Sequence, residues 1–89
     1  MIICKRCIVR GKVQGVFYRA TAQQQALKSG VSGYAKNIFD GSVEVMACGE
    51  PNAVEMFCAW LWQGPELAEV NIVECESLIS ESANGFLTL

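Results

Sequence analysis

An Asp-Gly pair near the middle of the chain is the feature that most narrows the folds available to it. Asp40-Gly41 stands between two extended runs, 33–39 and 42–48. Asp-Gly in that setting is a strong signal for a tight turn between antiparallel strands. Hydrophobic and polar residues alternate along the second run, which predicts one buried and one open face. The sequence therefore predicts a β-hairpin at the centre of the chain.

A strand pattern and a helix pattern lie on each side of this hairpin. Ile, Val and Cys residues favour strands, apolar residues at helical spacing favour helices, and a glycine ends each helix. Asn52 and Glu55 form a predicted capping pair at the start of the second helix. In chain order the predicted elements are a strand over 3–10, a loop over 11–19, a helix over 20–28, hairpin strands over 33–39 and 42–48, a helix over 52–63, a strand over 70–78, a turn over 80–85 and a short strand from residue 86.

The predicted order is β-α-β-β-α-β with a short C-terminal strand appended. Right-handed crossovers place both helices on one face of a mainly antiparallel sheet. We therefore predict an α+β fold, a ferredoxin-like α/β sandwich, with the first and third strands as antiparallel neighbours at the sheet centre. With 89 residues, of which 52% are hydrophobic, we expect a single domain over 1–89.

The composition excludes several classes of function. No apolar run approaches the ~20 residues that a bilayer-spanning helix needs, and no long apolar region follows the first residues. A net charge of −2 and a pI near 5.0 count against a nucleic-acid partner. The absence of histidine excludes histidine-based catalysis and histidine-ligated metals. We expect a cytoplasmic monomer without membrane or nucleic-acid partners.

The chain contains five cysteines, and an odd number is unusual for a secreted disulfide scaffold. The default expectation is reduced, buried thiols in a cytosolic protein. Cys4 and Cys7 have the spacing of a redox or metal motif, but residues three apart on a strand face opposite sides. Cys4 begins the first strand and Cys48 ends the third, both on the helix-free face. We predict that these two thiols lie close together and form a disulfide under oxidising conditions.

The charges divide sharply along the chain. All seven basic residues precede Asp40, and all nine acidic residues fall from Asp40 onward. This asymmetry indicates either a drift in surface charge or an anion site in the first half. The loop over 11–19 contains two glycines and leads into a helix N-terminus, where main-chain N–H groups and the helix dipole attract anions. Arg19 can add two parallel donors, although an ordinary βα turn remains an alternative on these grounds.

Two segments bear a specific resemblance to a known family. The segment 11–19, Gly-Lys-Val-Gln-Gly-Val-Phe-Tyr-Arg, resembles the first signature of the acylphosphatases, small enzymes that hydrolyse the carboxyl-phosphate bond. The segment 33–43, continuing to Gly49, resembles their second signature. Phe17 departs mildly, since that position is often small in the family, and Thr88 stands where an aliphatic residue is usual.

The resemblance implies a role for individual residues. Arg19 is expected to anchor the substrate phosphate, and Asn37 to orient the attacking water. The main chain of 14–19 is expected to form the phosphate cradle. The expected substrate-binding residues are therefore Gln14, Gly15, Val16, Phe17, Tyr18 and Arg19. The substrate is then a small-molecule acyl phosphate, whose acyl group the sequence leaves open. No cofactor and no metal are expected, because positioning and charge stabilisation suffice for this reaction.

Other modules share this order of elements. RNA-recognition domains stack bases on aromatic residues of the central strands, but the strand over 42–48 contains none. Small metal carriers hold a cysteine pair in the loop after the first strand, and the loop over 11–19 has no cysteine. A non-catalytic module of the same fold that binds or senses a carboxyl phosphate stays open as the alternative function.

Overall fold

A computed structural model of the chain describes residues 1–79 and 85–89. It contains the predicted elements in the predicted order. They are β1 Ile3–Lys12, α1 Tyr18–Ser29, β2 Ser32–Asn37, β3 Val43–Gly49, α2 Pro51–Gln63, β4 Glu69–Leu78 and β5 Phe86–Thr88. The turn predicted over 80–85 lies, apart from residue 85, outside the described residues.

The strands form one sheet in the order β4-β1-β3-β2-β5. β1 pairs antiparallel with both β3 and β4, and β2 pairs antiparallel with β3. Among the strands that the structure describes, the short β5 alone runs parallel to its neighbour, β2. The helices pack against each other and against the same sheet. This is the ferredoxin-like α+β sandwich that the sequence predicts, with β1 and β3 side by side at its centre.

The core lies between the sheet and the two helices. Alternate residues of β1 and β3 point into it, and α1 contributes Tyr18 at its start and the small Ala22 and Ala26 further along. The Tyr18 hydroxyl donates a buried hydrogen bond of 2.7 Å to the carbonyl of Leu61. Burial raises the pKa of Tyr18 well above its ordinary value, so the hydroxyl remains a donor. This bond fixes the start of α1 against the end of α2. The main buried core residues are Cys7, Val9, Ala22, Ala26, Val43, Val45, Ala47, Val54, Phe57 and Leu61.

The ends of the two helices differ from the prediction. α1 begins earlier, at Tyr18, because Phe17 takes a left-handed conformation as its N-cap. The predicted capping pair in α2 is wrong: the N-cap is Glu50, without a side-chain cap hydrogen bond, and Pro51 occupies the first turn. Proline suits that position because its φ is already helical and its missing N–H would have no helical partner there.

Four of the five cysteines form disulfides, in contrast to the reduced thiols expected by default. Cys4 pairs with Cys48 across β1 and β3, with 4.1 Å between their Cα atoms. Cys7 pairs with Cys75 across β1 and β4, a bond that the sequence analysis missed. Both bonds join residues that face each other directly on neighbouring antiparallel strands. Cys58 is the free thiol, and among the described residues no helix is long and apolar enough to span a membrane.

Candidate active site

The loop between β1 and α1 has an unusual backbone. Gly15 has a φ of 76° and Phe17 a φ of 66°. Glycine takes this left-handed conformation at no steric cost, whereas a bulky residue there is a strained outlier of a kind that clusters at functional sites. The first hydrogen bond of α1 runs from the Thr21 N–H to the Phe17 carbonyl. The N–H groups of the preceding helical residues thus have no intrahelical acceptor and are oriented to receive an anion.

A cavity of about 250 Å³ opens at this loop. Among the described residues that line this cavity, Arg19 alone has a charged side chain. Val16 and Tyr18 bury their side chains in the core, so these two residues can offer a ligand only their main-chain groups. The loop and the first turn of the helix therefore form a small pocket of main-chain N–H groups with a guanidinium at its mouth. The lining residues are Val13, Gly15, Phe17, Tyr18, Arg19 and Ala20.

Gln14 ties this loop to the β2–β3 hairpin. Its side-chain Nε2 donates to the carbonyl of Ile38 at 2.8 Å and to the carbonyl of Ser42 at 2.9 Å. Both N–H groups of the amide are thus used across the gap between the loop and the turn. A second cavity of about 710 Å³ adjoins this bridge and is lined by Gln14, Lys36, Asn37, Ile38 and Phe39. The side chain of Gln14 is consequently a brace between the two segments.

Arg19 and Asn37 converge on the same oxygen atom. The Arg19 guanidinium donates to the main-chain oxygen of Leu89 at 2.7 Å. The main-chain N–H of Asn37 donates to that oxygen at 3.4 Å. Leu89 is held in turn by its own N–H, which donates to the carbonyl of Ala35 at 2.8 Å. The residue after β5 therefore brings the start of α1 and the end of β2 to one place.

The side chain of Asn37 has an unsatisfied acceptor. Its Oδ1 atom is buried and has no hydrogen-bond partner within residues 1–79 and 85–89. A buried polar atom without a partner costs free energy, and such atoms are rare in folded proteins. An oxygen acceptor left open beside a cavity can accept a hydrogen bond from a water molecule or a ligand.

A network of hydrogen bonds fixes the turn after β2. Asp40 accepts hydrogen bonds from the hydroxyl and the main-chain N–H of Ser42, and from the Arg10 guanidinium at 2.9 Å. These donors, with the Ser42 hydroxyl first, lower the pKa of Asp40 to about 2. Arg10 belongs to β1, so the ion pair links the turn to the strand that leads into the loop. The hairpin that carries Asn37 is thereby held against β1.

The structure brings the predicted site residues to one end of the sheet, although in two adjoining pockets. Arg19 lines the loop cavity with Gly15 and Phe17. Asn37 lines the neighbouring cavity together with Gln14. Leu89 was not predicted as part of this site, because its contact is made by a main-chain oxygen and so leaves no signal in residue type. The bracing role of the Gln14 side chain was not predicted either, because that role depends on where the hairpin turn lies.

The structure defines this chain as a small α+β sandwich with a candidate anion pocket at the loop between β1 and α1, beside Arg19. The family model described as acylphosphatase matches residues 5–87. The chain therefore belongs to the acylphosphatase family.

Individual acylphosphatases are similar to this chain over most of its length. It is 48% identical over 86 residues to an acylphosphatase of Vibrio parahaemolyticus, a match that covers 97% of this chain and 96% of the relative. It is 53% identical over 73 residues to an acylphosphatase of Chromohalobacter salexigens, covering 82% and 81%. The solved acylphosphatase of Bacillus subtilis superposes with a TM-score of 0.94 at 33% identity, covering 100% and 99% of the two chains. The solved acylphosphatase of Coxiella burnetii superposes with a TM-score of 0.94 at 36% identity, covering 99% of this chain and 93% of the other.

Proposed function

We propose that this chain is an enzyme that hydrolyses the carboxyl-phosphate bond of acyl phosphates to a carboxylate and inorganic phosphate. In the proposed site Arg19 and the main chain of 14–19 bind the phosphate, and Asn37 orients the attacking water. The observation that carries this proposal is that the Arg19 guanidinium and the main-chain N–H of Asn37 donate to one oxygen of Leu89, which places the two residues close together. Family membership with acylphosphatases over residues 5–87 supports the same reaction.

The donors at the loop match the charge of a transferred phosphoryl group. A guanidinium carries five N–H donors, and the hydrogen bond to Leu89 uses Nη1. That contact holds the group in place and leaves other N–H donors for phosphate oxygens. Phosphoryl transfer passes through a loose transition state with charge spread over the equatorial oxygens, so fixed donors around those oxygens lower the barrier.

The nucleophile in this proposal is one water molecule held by Asn37. The open Oδ1 acceptor receives a hydrogen bond from the water and aligns its lone pair with phosphorus. The water oxygen bonds to phosphorus as the bond from phosphorus to the carboxylate oxygen breaks. A carboxamide is no base, so the water proton passes to a phosphate oxygen. An acyl phosphate is a mixed anhydride with a good leaving group, which is why no strong general acid is needed.

We also propose that residues 1–89 act as one cytoplasmic, monomeric domain, on a small-molecule acyl phosphate and without a metal. The single sheet with one core cluster supports a single domain, and the odd number of cysteines counts against a secreted disulfide scaffold. The alternative, a non-catalytic module that binds or senses a carboxyl phosphate, is not favoured, because relatives over most of the chain are acylphosphatases.

The direct test is the metal-free hydrolysis of an aryl acyl phosphate such as benzoyl phosphate. The purified protein with a chelator should turn over many equivalents of substrate, followed by the loss of ultraviolet absorbance. Arg19→Lys should lower kcat/KM by about 10²-fold or more, since an ammonium cannot replace two fixed donors.

Arg6→Lys is the matched control, because Arg6 forms ion pairs with Glu44 and Glu76 on the sheet, away from the loop. This variant should have the same kcat/KM as the wild-type protein. Binding of phosphate without turnover would favour the non-catalytic alternative, and equal rates for the two variants would contradict the role of Arg19.

A further inference from the structure

Three cysteines from distant parts of the chain meet on the helix side of the sheet. Cys7 lies on β1, Cys58 on α2 and Cys75 on β4. Cys7 and Cys75 form a disulfide, and the Sγ atom of Cys58 lies 3.8 Å from that of Cys7. All three Sγ atoms lie within 4.8 Å of one another. The proposed hydrolytic reaction uses none of them.

This three-cysteine cluster is closed on one side and open on the other. Cys7 is 0% exposed and belongs to the hydrophobic core, and Cys58 packs partly buried against that core. Cys75 is exposed on the edge strand β4. Solvent and small ions can therefore reach the cluster from the β4 side. Lys5, two residues before Cys7, faces the same side of β1 and brings a positive charge near Cys58.

We propose that in the reduced protein Cys7, Cys58 and Cys75 together bind one soft d¹⁰ metal ion, such as Zn²⁺ or Cu⁺. Thiolates are the ligands that such ions prefer. A metal–sulfur bond near 2.3 Å places sulfur ligands about 4 Å apart, which matches the 3.8 Å between Cys7 and Cys58. Three protein sulfurs leave one tetrahedral position for a solvent ligand on the exposed side.

The site forms only after the disulfide opens. A dithiol reductant gives two electrons and two protons to the bond between Cys7 and Cys75 and becomes a disulfide itself. The metal ion then displaces the protons of the three thiols as its bonds to sulfur form. A disulfide oxidant that takes two electrons from Cys7 and Cys75, and is itself reduced to a dithiol, would re-form their bond, remove two of the three ligands and release the ion. Binding thus depends on the redox state of the cluster.

The test uses Cd²⁺ as the probe, in the variant Cys4→Ser/Cys48→Ser, which lacks the other cysteine pair. The protein is reduced with a dithiol, desalted without oxygen and titrated with Cd²⁺, and the ultraviolet charge-transfer band of Cd–thiolate bonds is recorded. We expect one Cd²⁺ per chain in the reduced protein and none in the oxidised protein.

Loss of one ligand should weaken this binding strongly. Outer-shell changes alone typically cost roughly 10–100-fold in metal affinity, so adding Cys58→Ser should cost at least that much. Cys75→Ser is the second variant, because Cys75 is exposed and its replacement leaves the core packing intact. Retained hydrolysis and circular dichroism report the fold of each variant. Unchanged Cd²⁺ affinity in both variants, the lack of a band, or one Cd²⁺ per two chains would overturn the proposal.

Discussion

The carboxamide of Asn37 has a proposed function, to hold the attacking water, and it also lowers the stability of the fold. Its buried Oδ1 has no partner within the described part of the chain, and such an acceptor costs about 1–3 kcal/mol. Asn37→Ala should therefore lower kcat by about 10²–10³-fold without lowering the free energy of unfolding. Inhibition by inorganic phosphate should stay nearly unchanged, because Arg19 and the loop remain.

Benzoyl phosphate kinetics and urea unfolding of the same samples check this prediction. Asn71→Ala on the exposed part of β4 is the matched control and should leave the kinetics unchanged. If Asn37→Ala weakened phosphate inhibition as much as it lowered kcat, Asn37 would be an anchor for phosphate rather than a holder of water.

Phe17 is the one residue other than glycine with a positive φ among those described, and its side chain is 72% exposed. A left-handed conformation costs an L-residue about 1–2 kcal/mol, more than the entropy that glycine adds to the unfolded chain. Phe17→Gly should thus raise the free energy of unfolding by about 0.5–1 kcal/mol. Phe39→Gly, at a fully exposed position with a negative φ, should lower it instead. Thermal unfolding of the two variants tests the pair, and a loss of stability in both would contradict the strain at Phe17.

At the scale of elements, the hairpin turn is a pH-sensitive part of the fold. The hydrogen bonds from Ser42 and Arg10 lower the pKa of Asp40 to about 2, from 3.8 in the unfolded chain. A group with a lowered folded pKa stabilises the fold above its unfolded pKa, and that stabilisation is lost as the pH falls towards the folded pKa.

The difference in stability between the unchanged protein and Asp40→Asn should therefore be constant above about pH 5 and shrink between pH 4 and pH 2. Thermal unfolding at a series of pH values measures it. A difference that stays the same from pH 6 to pH 2 would show that the carboxylate does not interact with its neighbours in the folded state.

The element order and the β2–β3 hairpin were predictable because the Asp40-Gly41 turn and the periodic patterns on either side are local signals. The residues at which the helices begin were harder to predict. The start of α1 depends on the left-handed Phe17, for which no propensity rule exists. The choice of Arg19 and Asn37 as candidate site residues came from the family resemblance, which says nothing of the main-chain oxygen of Leu89 that both residues contact. The bond between Cys7 and Cys75 depends on the register of β4 against β1, which no local sequence signal sets.

At the scale of the whole molecule, β1 links the cysteines to the site. The strand carries Cys4 near its start and Cys7 further along, on opposite faces, and its far end leads into the loop before α1, where the phosphate is proposed to bind. The bond between Cys4 and Cys48 thus lies at the opposite end of β1 from the loop. This placement separates what stabilises the fold from what performs the proposed reaction.

Removal of that bond should consequently lower stability while leaving activity unchanged. Cys4 and Cys48 are 44 residues apart, and the loop entropy lost from the unfolded chain for such a span corresponds to about 2–4 kcal/mol. Urea unfolding of Cys4→Ser/Cys48→Ser should show a decrease of that size against the oxidised protein, and no decrease when both are measured with a reductant present. Benzoyl phosphate kinetics below the unfolding transition should give the same kcat for both proteins. A fall in kcat at full folding would mean that the two ends of β1 are coupled, and that the disulfide positions the phosphate loop as well as stabilising the sheet.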